Sequence, residues 1–347
     1  MKKYSPTGSV AQFLLAGAAL VVLLAGLKAA TPILLPFLLA LFIAIIANPA
    51  VVQLMRWRIP RALAIWLILI FIIVLILAFA GVVGSSIRGF QQSIPQYRSQ
   101  LLNHLAWLTH LASYLDIHIS KETISSYFDP GVIFGVFANT LSGLSSMATD
   151  FFIILVTTIF MLFEADSLPK RLYRDGGVDH HNSPFYRFSR SVNHYMGVKT
   201  LVSLITAVPI TLVLWGLHLD YAILWGILAF LLNFIPNVGS LLAAVPAVLL
   251  AIVQLGTSDA LAVAFTYLVV NLLVGNVIEP RMMGRGLGLS SLVVILSLIF
   301  WGWLFGSVGM LLSVPLTMVV KIALESSPDG QRFARWLSHP DELDAGH

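Results

Sequence analysis

The chain has 347 residues, of which 58% are hydrophobic and only 10% charged, with a mean hydropathy of +0.91. A soluble domain carries about 25% charged residues, so a soluble fold of this size is excluded and lipid must be the solvent for much of the surface. The net charge of +4 is spread as short Lys/Arg clusters beside apolar runs, a membrane-topology pattern and not a nucleic-acid footprint. With no cysteine, disulfides, thiolate metal sites and cysteine nucleophiles are also excluded.

Apolar blocks follow one another at roughly 10–30, 33–55, 62–87, 148–164, 200–217, 221–254, 260–278 and 289–324. A helix needs about 20 apolar residues to cross the hydrocarbon core, and none of the blocks shows the alternation of a barrel strand. The fold class expected is therefore all-α and polytopic. The first block, preceded by Lys2 and Lys3, is longer than a signal-peptide core and reads as an uncleaved first membrane helix. The second ends at Asn48-Pro49, read as a helix-breaking pair.

Residues 88–147 are amphipathic, with Leu101, Leu105, Leu108, Leu111 and Leu115 at helical spacing and Asp129-Pro130 as a helix start. They are expected to form a small helical extramembrane domain. Residues 165–199 are basic and polar, and 184–199 reads as an amphipathic helix lying along the inner surface. The organisation expected is thus 1–87 for the first membrane helices and 88–147 for the external domain. A transport core follows over 148–326, with a polar tail over 327–347.

Two blocks are too long for one simple span. Block 221–254 carries Asn233, Pro236, Asn237 and Gly239 in its middle, and block 289–324 is divided around Trp301–Gly306. Proline removes a donor and glycine permits a bend, so each block can be two spans or two half-helices that return to the side they entered. Cation placement agrees best with the second. With the N-terminus inside and both blocks folded back, only Lys28, Arg88, Arg98 and Lys121 of the 20 Lys and Arg residues fall outside. Six continuous helices plus two broken or re-entrant hairpins, with both termini cytoplasmic, are expected.

Broken backbone at membrane depth is tolerated only when buried in protein or lining a wet cavity. Half-helix ends offer free N–H and C=O groups to a polar solute or ion. This makes Asn233, Pro236, Asn237 and Gly239 one candidate constellation, against the simpler reading of a surface loop. The second runs through Asn271, Asn276, Glu279, Arg281 and Arg285. Asn271 and Gly275, and Asn276 and Glu279, are spaced to share helix faces, and amides on membrane helices turn toward neighbours or water. An ionisable group near membrane depth is a functional-site candidate. The simpler reading pairs Glu279 with Arg281 or Arg285 at the cytoplasmic surface.

His180-His181 is too small a set for a metal, and no phosphate loop, zinc helix or nucleophile elbow is present. No catalytic residue, metal or cofactor is expected. Without an ATP site, transport would run on an ion gradient or down the solute's own.

The run Ile278–Ser290 with its continuation through Trp301-Gly-Trp and Gly309–Thr317 resembles the autoinducer-2 exporter family. So do Asn233–Ser240 and the early Pro36-Phe-Leu-Leu-Ala-Leu with Asn48-Pro49. The likeness covers essentially the whole chain. It implies a bacterial inner-membrane protein that exports the furanone autoinducer-2 and assembles as a homo-oligomer, with a pentamer as one candidate. Some members are described as sodium or lithium/proton antiporters. Three readings follow: an exporter of a small polar signal through the asparagine-lined breaks, an antiporter using Glu279 with H+ or Na+, or a membrane scaffold without transport.

Overall fold

The computed structural model describes residues 6–104, 151–165, 184–236, 238–283 and 289–325. Most of the expected external domain, Asp129-Pro130, His180-His181, Asn237, Arg285 and the tail lie outside them. The described residues are helical apart from short turns between the helices. In chain order the helices are α1 (Pro6–Ala29), α2 (Thr31–Arg56), α3 (Arg61–His104), α4 (Phe151–Glu164), α5 (Pro184–Gly216), α6 (Ala222–Leu232), α7 (Gly239–Gln254), α8 (Thr257–Leu273), α9 (Glu279–Met283), α10 (Ser291–Leu311) and α11 (Ser313–Glu325). A π-helical turn, Val274–Ile278, joins α8 to α9. Among the described residues, five stretches are long and apolar enough to cross a membrane by length and composition, namely Thr31–Arg56, Arg61–Tyr97, Tyr186–Gly216, Thr257–Met283 and Leu292–Leu311. The protein is a polytopic helical membrane protein.

Three helices run further than the apolar blocks suggest. α2 passes through Asn48-Pro49 without a break, because a proline removes one backbone bond and lipid offers the chain no alternative to the rest. α3 continues through residue 88, where the external domain was expected to begin, to His104. Its 44 residues reach about 66 Å, well beyond a bilayer core. The stretch 184–199 is no separate surface helix either: it is the first half of α5, one 33-residue helix. Hydropathy marks where lipid contact ends, whereas backbone hydrogen bonding carries on.

The chain divides into two compact units, one comprising Met1–Ile45, Asp150–Phe188 and Gly288–His347, the other Ile46–Thr149 and Ser189–Leu287. In the first unit, α10 does not stay straight. Gly306 has φ 67° and ψ −149°, a conformation suited to glycine, and the chain reverses there. A Cβ on Gly309 would stand 2.0 Å from the Trp301 carbonyl oxygen, and one on Gly302 would meet the Met310 side chain. Residues eight apart in a straight helix are about 12 Å apart. The indole N–H of Trp301 donates to Thr317 Oγ1 at 3.0 Å, tying the two legs together. Block 289–324 is therefore a helical hairpin. Near its tip, Lys28 lies 4.3 Å from the centre of the Trp303 ring and the Thr31 hydroxyl donates to the Leu304 carbonyl. At its far end Glu325 accepts from Arg187 at 3.0 Å and faces Lys321.

In the second unit, α6 and α7 have 11 and 16 residues, about 17 and 24 Å, so neither alone crosses the roughly 30 Å core. Their outer ends meet. The Asp220 amide donates to Gln254 Oε1 at 2.9 Å, and Gln254 Nε2 donates to the His218 carbonyl at 3.0 Å. The pair therefore enters and leaves on one side, with the break at 233–238 as its tip. α7 buries a stripe of small residues, Ala243, Ala247 and Ala251, which lets it approach its neighbours closely. Gly226 of α6 serves the same end, since a Cβ there would lie 1.7 Å from Thr211 Oγ1 of α5. The core around the hairpin includes Phe90 and Tyr97 of α3, Ile210 and Leu214 of α5, Trp225 of α6, and Val263 and Tyr267 of α8. The extension of α3 packs on the hairpin's base: Tyr97 donates to the Asp220 carboxylate at 2.6 Å.

Candidate functional site

The hairpin tip follows from its sequence. Pro236 has no N–H to continue the helix, so the Leu232 carbonyl is left without its usual donor and the chain turns. The turn is closed by Ile235 donating to Leu232, Val238 to Pro236, and Gly239 to Ile235. α7 then starts against the end of α6, where a Cβ on Gly239 would sit 1.6 Å from the Leu232 carbonyl oxygen. Only glycine fits that approach. Asn233 closes α6, is 8% exposed, and donates from Nδ2 to Ser203 Oγ at 3.1 Å. Ser203 lies 13 residues before the end of α5, so the tip reaches about 20 Å along that helix.

Ser203 belongs to a polar stripe on α5. Tyr195, Lys199, Ser203 and Thr206 follow one another at spacings of four, four and three, and all are buried. Thr206 satisfies its own hydroxyl by donating to the Val202 carbonyl. Lys199 donates to Glu279 Oε1 at 2.5 Å, with side-chain exposures of 3% and 22%. A charge-assisted bond of this length is strong in an apolar setting. It also makes the pair electrically neutral, as burial requires.

Glu279 is thus paired with Lys199, and not with Arg281, which is exposed; Arg285 lies outside the described residues. The amide of Glu279 reaches back five residues to the Val274 carbonyl, closing the π turn. That turn changes the register assumed for the second constellation. Asn276 lies within the turn and is exposed, while Glu279 points to α5. Asn271 is half-buried on α8, one turn beyond the buried Tyr267. Among the predicted residues, then, Asn233 and Glu279 are brought to one helix face, Pro236 and Gly239 shape the tip, and Asn276 and Arg281 stand apart from it.

Lys199, Tyr195 and Ser203 were missed by sequence reasoning. From sequence Lys199 reads as the last cation of an amphipathic surface helix over 184–199, because an element boundary falls immediately after it. The signal that could have found it is the four-residue spacing of Tyr195, Lys199 and Ser203 across that boundary. Among the described residues no group of three or more metal-ligating side chains occurs. The arrangement offers hydrogen-bonding hydroxyl and amide groups and one neutralised ion pair inside a bundle, which suits a polar solute or an ion in passage.

Residues 18–329 match the AI-2E family transporter family. The chain is 43% identical over 320 residues to the AI-2 transport protein TqsA of Escherichia coli (strain K12), covering 92% of this chain and 93% of that protein. It is 42% identical over 337 residues to a putative transport protein of Haemophilus influenzae, covering 95% and 97% of the two chains. Against the putative transport protein YhhT of Escherichia coli (strain K12) identity is 36%, with 96% of each chain covered.

Proposed function

The chain belongs to the AI-2E transporter family, and from that premise we propose that it exports a small polar solute, autoinducer-2, across the bacterial inner membrane. The observation that carries this is the α6–α7 tip, where Asn233 meets Ser203 on the buried polar stripe of α5. Neutral donors and acceptors suit a neutral polyhydroxylated furanone, because each solute hydroxyl can replace a hydrogen bond that the protein makes to itself. The relative from Escherichia coli that bears the name AI-2 transport protein supports the same solute. In this proposal both termini lie in the cytoplasm and the hairpin base at Asp220 on the outer face, with membrane lipid around a homo-oligomer, a pentamer included; the distribution of Lys and Arg supports that orientation. The test is autoinducer-2 efflux from cells carrying Asn233→Leu. Efflux should fall while the amount of protein in the membrane is unchanged, and full efflux would sink the proposal.

A second reading is favoured by the Lys199–Glu279 pair. In a sodium or lithium/proton antiporter, Glu279 would exchange a proton for the cation, and Lys199 would hold the carboxylate while neither is bound. Sodium-dependent proton movement in vesicles should then disappear in Glu279→Gln. Intact exchange in that variant removes the reading.

A further inference from the structure

The π turn Val274–Ile278 runs directly into Glu279, the carboxylate of the buried ion pair with Lys199. A π turn holds one residue more than the α-helical turn it replaces, and the helix on either side keeps its register. If the surplus residue moves along the helix past Glu279, the carboxylate rotates by about 100° and shifts by about 1.5 Å. That displacement takes it off Lys199. The lysine stem cannot follow, since it is almost fully buried between Tyr195 and Ser203 on the same face of α5.

Resting on the transport reading above, we propose that Lys199 and Glu279 form the inner gate of the solute path, opened by a change of register in the π turn Val274–Ile278. Along α5 the pair lies between the hairpin tip at Ser203 and the N-terminal end of the helix, which is cytoplasmic in the orientation given by the cations. When closed, it fills the way out of the Asn233–Ser203 contact with two groups that satisfy each other. When open, Glu279, whose side chain is already 22% exposed, turns toward water. The ammonium of Lys199 is then left facing the solute, whose hydroxyl oxygens can accept from it. The gate is therefore opened at least cost when a hydroxyl-bearing solute is present, which couples opening to loading.

The chain has no cysteine, so one introduced thiol reports on one position. Ser203→Cys is labelled with a membrane-impermeant maleimide in inverted vesicles, with no solute added. Adding Glu279→Gln should speed labelling about ten-fold, and the charge exchange Lys199→Glu with Glu279→Lys should return it to the slow rate. Deleting Val277 removes the surplus residue and leaves both flanks in register, so labelling should fall several-fold below the parent. Ala247→Cys, in the fully buried stripe of α7, is the control for general loosening and should not change in any background. Equal rates in the parent, Glu279→Gln and the deletion overturn the gate. So does acceleration of Ala247→Cys in parallel with Ser203→Cys, which would make the pair a strut of the fold. Because no solute is used, loss of autoinducer-2 flux with these rates intact overturns the substrate alone.

Discussion

Removing one partner of the Lys199–Glu279 pair should cost far more than removing both. Breaking a buried pair leaves a charge without a partner, at about 3–5 kcal/mol, whereas replacing both by apolar residues is often close to neutral. The two partners are not equally deep, with side-chain exposures of 3% for Lys199 and 22% for Glu279. Lys199→Met leaves a carboxylate that can turn partly to water, so its cost lies at the lower end, about 3 kcal/mol. Glu279→Leu leaves an ammonium that cannot reach water, and lies near the upper end, about 5 kcal/mol. Lys199→Met with Glu279→Leu leaves no charge and should come within about 2 kcal/mol of the parent. The two single costs together should therefore exceed the cost of the double by about 6 kcal/mol in a double-mutant cycle. Unfolding in mixed micelles, followed by the fluorescence of the eight tryptophans, gives the four values. If each single variant costs less than about 1 kcal/mol and the two costs add, the pair behaves as a screened surface pair, and the reasoning fails.

Gly239→Ala should destabilise the hairpin by several kcal/mol, because the added Cβ would lie 1.6 Å from a backbone oxygen that no rotamer can move. Gly226→Ala meets a side-chain oxygen, Thr211 Oγ1, at 1.7 Å, and adding Thr211→Ala should recover much of the loss. Thermal melting of the purified variants checks both, and equal rescue of Gly239→Ala by Thr211→Ala would contradict the assignment. Thiols placed at Asp220 and Gln254 should be labelled from the same side of the membrane, since these residues are hydrogen-bonded to each other at the base of the hairpin. Labelling from opposite sides would make α6 and α7 two spans.

The two hairpins were legible because their chemistry is local. Pro236 and Gly239 interrupt an apolar block wherever it sits, and the break in α10 falls at Gly306, at the end of the stretch singled out from sequence. Asn48-Pro49 carries the same kind of signal without the result, because one missing bond does not outweigh the rest of α2 in lipid. The partner of Glu279 was not legible, for it lies 80 residues away and no local pattern names it. The π turn left no trace either: an extra residue in a helix looks like any other residue, and it alters the face on which Asn276 and Glu279 were expected to meet. Boundaries at 87 and 199 fail for one reason, that a helix extends into polar sequence, past the end of the apolar run in α3 and ahead of its start in α5.

The central claim, a path for a neutral polar solute past the Asn233–Ser203 contact, is tested most directly by flux in liposomes holding the purified protein. Autoinducer-2 and sodium are offered separately, each with and without a pH gradient. Autoinducer-2 should cross in the parent and not in Asn233→Leu, whereas sodium should move no faster than through empty liposomes. Sodium flux coupled to the pH gradient, with no movement of autoinducer-2, would contradict the account.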